Sequence, residues 1–415
     1  MGERPAGKPE RMREAHAHVL AHGRSMDMVQ LADCESVETM LDAIAAAGSE
    51  RSLVLAHGAR PEAWTIPGWP TISELDAVST DAAVAIWCFD YHVMMLNSKA
   101  LTRTGFDRAS DDPPGGQLGR GPSGDLSGVL YESAAGIAWG ALEPKGVDPT
   151  TLARAIEDLS SHGFREVHDL KAQPGLGECL VGVGCPLRVQ MYPLVRDLPE
   201  VLKTRNDWQS DQIRLGGGKI FVDGTLNSRT AWMLHPFADG RPEHPSGMQL
   251  MSDTQIEDAI RLCVGEGLQL AAHAIGDAAV RAVLDAAERV RAPRGSVRIE
   301  HAELIDEADV PRFAELGVIA SVQPCHLLYD IEALRRACPD RLDRVLPLRE
   351  LIDSGLTPGR DILFGSDTPI VRPDPEDSIL AATNRGRRDM PLADGIAPGQ
   401  AISEAEAWAC FDAEA

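Results

Sequence analysis

Four histidines and one aspartate occupy the same kind of place in the sequence, since each lies at the end of a short apolar run. His16 and His18 lie in EAHAHVL, and LQLAAHAIGD, VRIEHAEL and ILFGSDTP contain His273, His301 and Asp367. Alternate residues of a strand point the same way, so the first two histidines can reach one metal ion together. Imidazole and carboxylate suit zinc and neighbouring divalent metals. The set predicts a site for one or two divalent ions, with zinc favoured, although a lone histidine at a strand end is usually structural.

Lys219 lies inside another apolar run, in RLGGGKIFVDG. A buried ammonium group is costly unless it is neutralised or paired. One interpretation is a salt bridge with Asp223. The other is a carbamate formed with CO2, which turns the ammonium into a carboxylate that can bridge two metal ions. The residues alone leave both interpretations open.

From about residue 150 onward, short apolar runs alternate with amphipathic segments. The candidate strands are Phe164–His168, Leu187–Tyr192, Ile213–Val222, Leu268–His273, Val297–His301, Val318–Val322 and Ile362–Ser366. One more strand, ending at His16, makes eight. This repetition predicts an α/β protein with a parallel sheet, and a closed (β/α)8 TIM barrel is favoured over a doubly wound open sheet. In such a barrel the carboxyl strand ends open onto one face, where active sites lie.

Residues 25–150 do not continue this alternation. They contain a helix pattern at Val37–Ala47, strand-like runs at Ser52–Ala56 and Ala82–Trp87, and a turn-rich stretch at Asp111–Gly128 that indicates a loop or hairpin. We interpret residues 25–150 as a large insertion after the first strand. The chain as a whole, 1–415, is then a single barrel with a lid region that covers one end and helps to shape a substrate pocket.

Charge and composition limit the possible partners. The 63 acidic and 40 basic residues give a formal net charge of −23. A field of that sign disfavours nucleic acid and anionic membranes and leaves small-molecule substrates. No apolar run reaches the roughly 20 residues of a membrane span, and the first residues lack the apolar core of a signal peptide. Eight scattered cysteines without a CxxC pair indicate reduced thiols, so a cytoplasmic location is expected.

The motifs HAH, KIFVDGTLNSRTA, HAIGD, RIEHAEL and GSDTP occur in an order that resembles the amidohydrolase superfamily. The chain is most similar to the branch called amidohydrolase family 3, which is related to N-substituted formamide deformylase, from about Glu14 to Arg385. In that family these motifs end strands one, four, five, six and eight. The resemblance therefore implies a metal-ligand set of His16, His18, Lys219, His273, His301 and Asp367. It also favours a carbamylated Lys219 over the salt bridge.

The sequence departs from this branch at both ends. Members usually begin with a β-structured segment that pairs with a C-terminal segment in a small β-sandwich. Here 15 residues precede His16 and the chain stops at CFDAEA, so we expect the flanking β-sandwich to be largely absent. The segment GKPERMREA is too polar for a well-buried first strand. An imperfect first strand would misplace His16 and His18.

The predicted activity is metal-dependent hydrolysis of C–N bonds in amides, formamides or related compounds. A divalent metal lowers the pKa of bound water to roughly 7 and so supplies a metal-activated hydroxide. Asp367 would accept the proton and deliver it to the leaving amine. His326 in SVQPCHL and His92 in the inserted region are candidate donors to the oxyanion. For both of these histidines, a structural or exposed role is an equal alternative.

Two other classes of function stay open. The same set of metal ligands can support deamination, isomerisation or decarboxylation. Alternatively, a non-catalytic or regulatory paralogue could keep the barrel for binding. The full ligand set argues against the paralogue. Asp223 and Arg229 could orient substrate or fix their own loop by hydrogen bonds, and His168 is expected to support the ligands. Barrels of this kind often pair, so a homodimer is expected.

Overall fold

The structure is a computed structural model that describes residues 7–48 and 51–415. The chain divides into two compact units. One contains the described residues up to Gly23 together with Gly146–Ala415, and the other is Arg24–Lys145. Within the described ranges, no helix combines the length and the apolar character that crossing a bilayer requires.

The strands and helices are numbered here in chain order. The strands are β1 (Met12–Ala17), β2 (Val29–Gln30), β3 (Leu53–Ala59), β4 (Ala83–Cys88), β5 (Val93–Leu96), β6 (Gly116–Arg120), β7 (Leu126–Glu132), β8 (Phe164–Leu170), β9 (Arg188–Tyr192), β10 (Ile213–Leu215), β11 (Gly217–Phe221), β12 (Gln269–Ala274), β13 (Val297–His301), β14 (Ile319–Val322) and β15 (Ile362–Phe364). The helices are α1 (Val19–Ser25), α2 (Val37–Gly48), α3 (Ile72–Val78), α4 (Ser98–Thr104), α5 (Ser133–Leu142), α6 (Pro149–Ser161), α7 (Leu176–Gly182), α8 (Leu198–Trp208), α9 (Asp253–Gly265), α10 (Asp277–Val290), α11 (Val310–Leu316), α12 (Leu327–Ala337), α13 (Leu348–Asp353), α14 (Pro375–Asn384) and α15 (Glu404–Ala409).

The first unit contains two parallel sheets with helices between successive strands. One sheet has the order β1-β8-β9-β10 and the other the order β11-β12-β13-β14-β15. Two isolated parallel bridges lie between the sheets: Leu194, just after β9, pairs with Lys219 of β11, and Ala17 of β1 pairs with Thr368, just after β15. The prediction of an α/β fold built on parallel strands is confirmed. Every strand that carries a candidate ligand belongs to this unit.

The predicted strand Ile213–Val222 is divided in two. Residues 213–215 pair with β9, whereas residues 217–221 pair with β12. A Cβ atom on Gly216 or Gly217 would lie 2.7–2.8 Å from ring carbons of Tyr192. The two glycines leave room for this ring, and the chain changes its pairing partner there. Because the ring comes from a distant strand, local apolar patterning cannot show the interruption.

Strand β1 is fully buried along its length, so the expectation of a poorly buried first strand is wrong. Its polar side chains have partners: an Arg13 guanidinium N–H donates to the Gly359 carbonyl at 2.8 Å. Glu14 Oε1 accepts from the backbone N–H groups of His16 (3.0 Å) and Ser366 (2.8 Å). Buried polar groups are tolerated when they are hydrogen-bonded. These contacts stabilise a charged strand inside the unit and position His16.

Gly365 lies where the residues after β15 approach β1 most closely. A Cβ atom there would lie 2.4 Å from the His16 backbone nitrogen and 2.6 Å from Glu14 Oε1. We expect Gly365→Ala to lower the free energy of unfolding by about 1–3 kcal/mol, measured by urea denaturation, because backbone atoms would have to move. Gly265→Ala in α9 is the matched control, since its Cβ would meet nothing within 4 Å. It should stabilise the helix by about 0.5–1 kcal/mol. Equal stability of the two variants would contradict this packing.

The second unit is built around one mixed sheet with the order β2-β3-β4-β5-β7-β6. The pairs among β2, β3 and β4 are parallel and the others are antiparallel. The turn-rich stretch 111–128 supplies β6 and the beginning of β7, which pair as a hairpin. Trp87 of β4 and Leu130 of β7 pack in the core of this unit with residues of α4 and α5. The lid role of this region stays a prediction.

Candidate metal centre

Three candidate ligands meet where β1 and β15 end. Asp367 Oδ1 lies 3.2 Å from His16 Nε2 and 2.9 Å from His18 Nε2. The Asp367 backbone N–H donates to the His16 carbonyl at 2.7 Å, which holds the segment after β15 against β1. The ligand atoms of the three residues all lie within 4.8 Å of one another. The structure therefore brings the HxH pair and the aspartate together, although they are about 350 residues apart in sequence.

His273 and His301 lie beside this group on neighbouring strands. The His301 ring centroid is 4.5 Å from that of His273 and 4.9 Å from that of His16. His301 Nε2 lies 4.0 Å from Asp367 Oδ2. His273 Nε2 faces the loop after β11, 3.1 Å from the Gly224 carbonyl oxygen. All four histidines and the aspartate thus occupy one region at the strand ends.

Lys219 of β11 is 1% exposed, and its Nζ has no hydrogen-bond partner among the described residues. It lies 4.9 Å from the centre of the Phe221 ring. Burial lowers the pKa of Lys219 to about 8, although the charges of Glu300 and Asp367 act in the opposite direction. The Asp223 carboxylate accepts instead from backbone N–H groups, including that of Ile275 at 3.0 Å. The alternative of a Lys219–Asp223 salt bridge is therefore not realised.

The ionisation of three candidate ligands, His18, His301 and Asp367, matches what metal ligands require. Burial lowers the pKa of His18 to about 4 and holds that of His301 well below its ordinary value. Burial alone would raise the pKa of Asp367, but the adjacent His16 and His18 hold it well below its ordinary value. Neutral imidazoles and an ionised carboxylate are the forms that coordinate divalent ions.

One close approach tests whether these residues fit a cation. His16 Nδ1 lies 2.7 Å from Glu300 Oε2, so Nδ1 carries the proton and Nε2 presents a lone pair. In the neutral ring that lone pair faces Asp367 Oδ1, which also lies 2.9 Å from His18 Nε2. Burial would lower the pKa of His16, but the charges of Asp367 and Glu300 raise it above its ordinary value. The two buried carboxylates thus favour a positive charge at His16 Nε2, which a proton or a divalent metal can supply. The donor set therefore fits a divalent metal.

Two of the candidate ligands have unusual backbone conformations. His301 and Asp367 have φ angles of 74° and 62°, and Ala302, which follows His301, has a φ of 46°. Residues other than glycine rarely adopt this left-handed region, which costs about 1–3 kcal/mol for each strained residue. Such strain is concentrated at functional sites. Other non-glycine residues away from the candidate ligands, such as Tyr91, Arg291 and Ala397, also have positive φ angles, so the conformations of His301 and Asp367 support a site without identifying it.

His326 lies next to the same cluster, in the short turn Pro324–His326 after β14. Its Nε2 lies 3.2 Å from the Ser366 carbonyl oxygen and 4.0 Å from Asp367 Oδ2. Its Nδ1 lies 3.7 Å from Glu303 Oε1. His301, Glu303 and His326 form a second group whose ligand atoms lie within 4.8 Å of one another. The sequence reasoning missed Glu303, which the two-residue spacing in HAE could have indicated.

His92, the other candidate donor, lies in the second unit. Its Nδ1 is 2.6 Å from Glu132 Oε2, and its backbone N–H donates to Asp90 Oδ1 at 3.1 Å. Its part in catalysis stays a prediction. In the loop after β11, Arg229 pairs with Asp239 through two contacts of 2.6 Å. The loop-fixing interpretation of DGTLNSRT therefore agrees with its contacts.

The sequence reasoning also missed the charged residues that surround the ligands. Arg298 and Glu300 are 1% and 0% exposed and precede His301 in β13. They alternate with Val297 and Ile299, so their side chains share one face of the strand. Charged residues at alternate positions of an apolar run are the signal that could have identified them. His168, expected to support the ligands, accepts a hydrogen bond from Arg298 at 2.8 Å.

Known proteins resemble this chain over most of its length. The chain is 29% identical over 403 residues to LONG AFTER FAR-RED 3 of Arabidopsis thaliana, covering 90% of this chain and 67% of that protein. It is 25% identical over 371 residues to N-substituted formamide deformylase of Arthrobacter pascens, covering 81% and 65%. A crystal structure of an uncharacterized metal-dependent hydrolase from Pyrococcus horikoshii has the same fold, with a TM-score of 0.74 at 24% identity over 96% of this chain and 78% of that chain. The amidohydrolase family model matches residues 12–410, and this chain belongs to that family.

Proposed function

We propose that this chain is a metal-dependent hydrolase that cleaves C–N bonds of amides, formamides or related small molecules. The observation that carries the proposal is the buried cluster at the strand ends, where His16 Nε2 and His18 Nε2 lie 3.2 and 2.9 Å from Asp367 Oδ1. The proposed ligands, which hold one or two divalent ions with zinc favoured, are His16, His18, Lys219, His273, His301 and Asp367. The branch related to formamide deformylases is the proposed subgroup.

A divalent metal bound by these residues would polarise the scissile carbonyl and lower the pKa of a bound water to roughly 7. The ionised Asp367 accepts a proton from the attacking water, whose oxygen bonds to the carbonyl carbon. His326, 4.0 Å from Asp367 Oδ2, donates a hydrogen bond to the resulting oxyanion. Asp367 then delivers its proton to the leaving nitrogen as the C–N bond breaks. This is the acid–base role that the sequence predicted for it.

Lys219 is proposed to carry a carbamate. A neutral amine is the form that attacks CO2, and a pKa lowered to about 8 by burial makes that form accessible at neutral pH. The buried Nζ has no hydrogen-bond partner among the described residues that would hold it as an ammonium. The amine nitrogen would bond to the carbon of CO2 and release a proton, which leaves a carboxylate that can bind a cation.

The architecture around this centre is part of the same proposal. The bridges Leu194–Lys219 and Ala17–Thr368 between the two parallel sheets support the proposal of a closed eight-stranded TIM barrel, in which β10 and β11 count as one strand. Residues 25–150 are proposed as an insertion after the first strand. The net charge of −23 favours small-molecule substrates over nucleic acid or membranes. A cytoplasmic location and a homodimer complete the proposal.

Removal of the metal gives the first test. We expect dialysis against a strong chelator to reduce hydrolysis of the best amide or formamide substrate to background, because the proposed nucleophile needs the metal. Addition of zinc, manganese or iron should restore the activity. Calcium is the control, because it prefers sites made of oxygen ligands alone. Full activity in protein that elemental analysis shows to be free of metal would contradict the proposal.

Two alternatives predict different outcomes in a substrate screen. A deaminase or isomerase with the same metal ligands would bind metal but leave amides, formamides, carbamates and cyclic imides unchanged. A non-catalytic or regulatory paralogue would act on no substrate and take up no metal. The name LONG AFTER FAR-RED 3, carried by one relative, states no enzymatic activity and keeps this second alternative open. Ammonia, amine and formate release should therefore be assayed separately.

A further inference from the structure

The Arg298 guanidinium connects four strands of the first unit. One terminal nitrogen donates to the Ala15 carbonyl of β1 and to Ser321 Oγ of β14, both at 2.7 Å. The other terminal nitrogen donates to His168 Nδ1 of β8 at 2.8 Å, and Nε donates to Glu300 Oε1 of its own strand at 2.5 Å. Arg298 is 1% exposed. A planar, always charged donor fork is suited to holding several acceptors in one fixed geometry.

Glu300 connects Arg298 to His16, a proposed metal ligand. Its side chain is fully buried, with Oε1 on Arg298 and Oε2 accepting from His16 Nδ1 at 2.7 Å. The Gln323 amide nitrogen also approaches His16 Nδ1, but at 3.3 Å. The carboxylate is therefore the closer and stronger partner, because hydrogen bonds to charged groups are about twice as strong as neutral ones. It places the proton on Nδ1 and leaves the lone pair of Nε2 for a cation.

His168 anchors the other side of the guanidinium. Because Arg298 donates to His168 Nδ1, the imidazole must carry its proton on Nε2, which lies 3.0 Å from Glu166 Oε1. Burial lowers the pKa of His168 to about 4, so the ring is neutral near pH 7 and can accept from Arg298. Glu166, His168, Arg298 and Glu300 thus form a buried chain of hydrogen bonds that ends at His16.

We propose that Arg298 is a positioning residue for metal binding, acting on His16 through both the backbone and the side chain. It fixes the strand by its bond to the Ala15 carbonyl, directly before His16, and fixes the imidazole through Glu300. This inference rests on the proposed function, because it assumes that His16 binds a metal ion. It assigns a role to residues that contact neither the substrate nor the ion.

Zinc affinity, measured by competition with a chromophoric chelator, separates positioning from simple structural support. Glu300→Gln keeps the shape of the side chain and removes its charge, and Arg298→Lys keeps the charge and removes the donor fork. Each should weaken zinc binding by about 10–100-fold, the usual effect of losing a partner that orients a ligand. Combined, they should weaken it by less than the product of the single effects, since both act through one chain. Ser321→Ala removes one Arg298 contact and leaves Ala15 and Glu300 in place, so it should have the smallest effect.

The same proteins should be compared by thermal unfolding and by nitrogen-15 spectra of their histidines. We expect His16 of the metal-free wild type to show a protonated Nδ1, and Glu300→Gln to reduce that population. If Glu300→Gln and Arg298→Lys unfold at a lower temperature but bind zinc as tightly as wild type, Arg298 is only structural. The inference then fails while the proposed function stands. If the wild type binds no zinc, the proposed function fails with it. Should Arg298→Lys not fold, Glu300→Gln decides the question by both measurements.

Discussion

Replacing Asp367 by asparagine is expected to reduce hydrolysis by about 10²–10⁴-fold, the range that a positioned acid–base group contributes. An amide cannot accept the proton of the attacking water or return it to the leaving nitrogen. Its oxygen keeps the place of the carboxylate beside His16 and His18, which lie 3.2 and 2.9 Å from Asp367 Oδ1. We therefore expect kcat to fall while at least one metal ion stays bound. Both should be measured on the same preparation.

Asp309→Asn is the matched control for this substitution. Asp309 is also buried, but it pairs with Arg281 at 2.7 Å and Arg312 at 2.8 Å at the start of α11. Its loss should lower thermal stability and leave kcat unchanged. A fully active Asp367→Asn protein would show that the proton is carried by another group. A fall in kcat that follows metal loss alone would assign Asp367 to binding and not to proton transfer.

The second large effect is expected at Lys219. Lys219→Ala should lose about 100-fold or more of the activity, because it removes the proposed carbamate from the ligand set. Acetate or propionate should restore part of that activity, since a small carboxylate can occupy the space that the long buried side chain leaves. Zinc stoichiometry should fall in parallel and recover with the same acids. Activity as a function of carboxylate concentration is the measurement.

The exposed Lys203 of α8 is the control, and Lys203→Ala should behave as wild type. Intact mass under native conditions, with and without bicarbonate, should show the added CO2 in wild type and in Lys203→Ala but not in Lys219→Ala. If no adduct forms and no carboxylate restores activity, the carbamate is excluded. Lys219 would then be a buried amine near the ligands, and the metal count would be limited to what imidazoles and Asp367 can hold.

The sequence was informative where the cause of a structure is local. Val297–His301 is a strand with the predicted bounds, since a short run containing valine and isoleucine follows the turn-forming Gly295–Ser296. The break at Gly216 was not predictable, because the ring that requires it belongs to Tyr192. The burial of β1 was mispredicted for a similar reason. The partners of Arg13 and Glu14 lie about 350 residues further along the chain, at Gly359 and Ser366.

The candidate site shows the same contrast between features with local causes and features that depend on distant residues. Residue type and strand-end position were enough to nominate His16, His18, His301 and Asp367, because parallel strands bring their carboxyl ends together. The hydrogen bond from His16 to Glu300 spans 284 residues, and no periodicity in the sequence indicates it. Burial and side-chain direction decide such partners, and both are properties of the folded chain. Sequence patterns could therefore nominate Glu303 in HAEL and the charges of VRIEH, but only the folded structure identifies their partners.

The number of metal ions per chain tests the central claim most directly. Purified protein should be reconstituted with zinc, dialysed and measured by elemental analysis beside a His16→Ala/His18→Ala variant. The proposed function predicts one or two ions per wild-type chain and a reduced number in the folded double variant. A wild-type chain that holds no ion, as purified or after reconstitution, would contradict it.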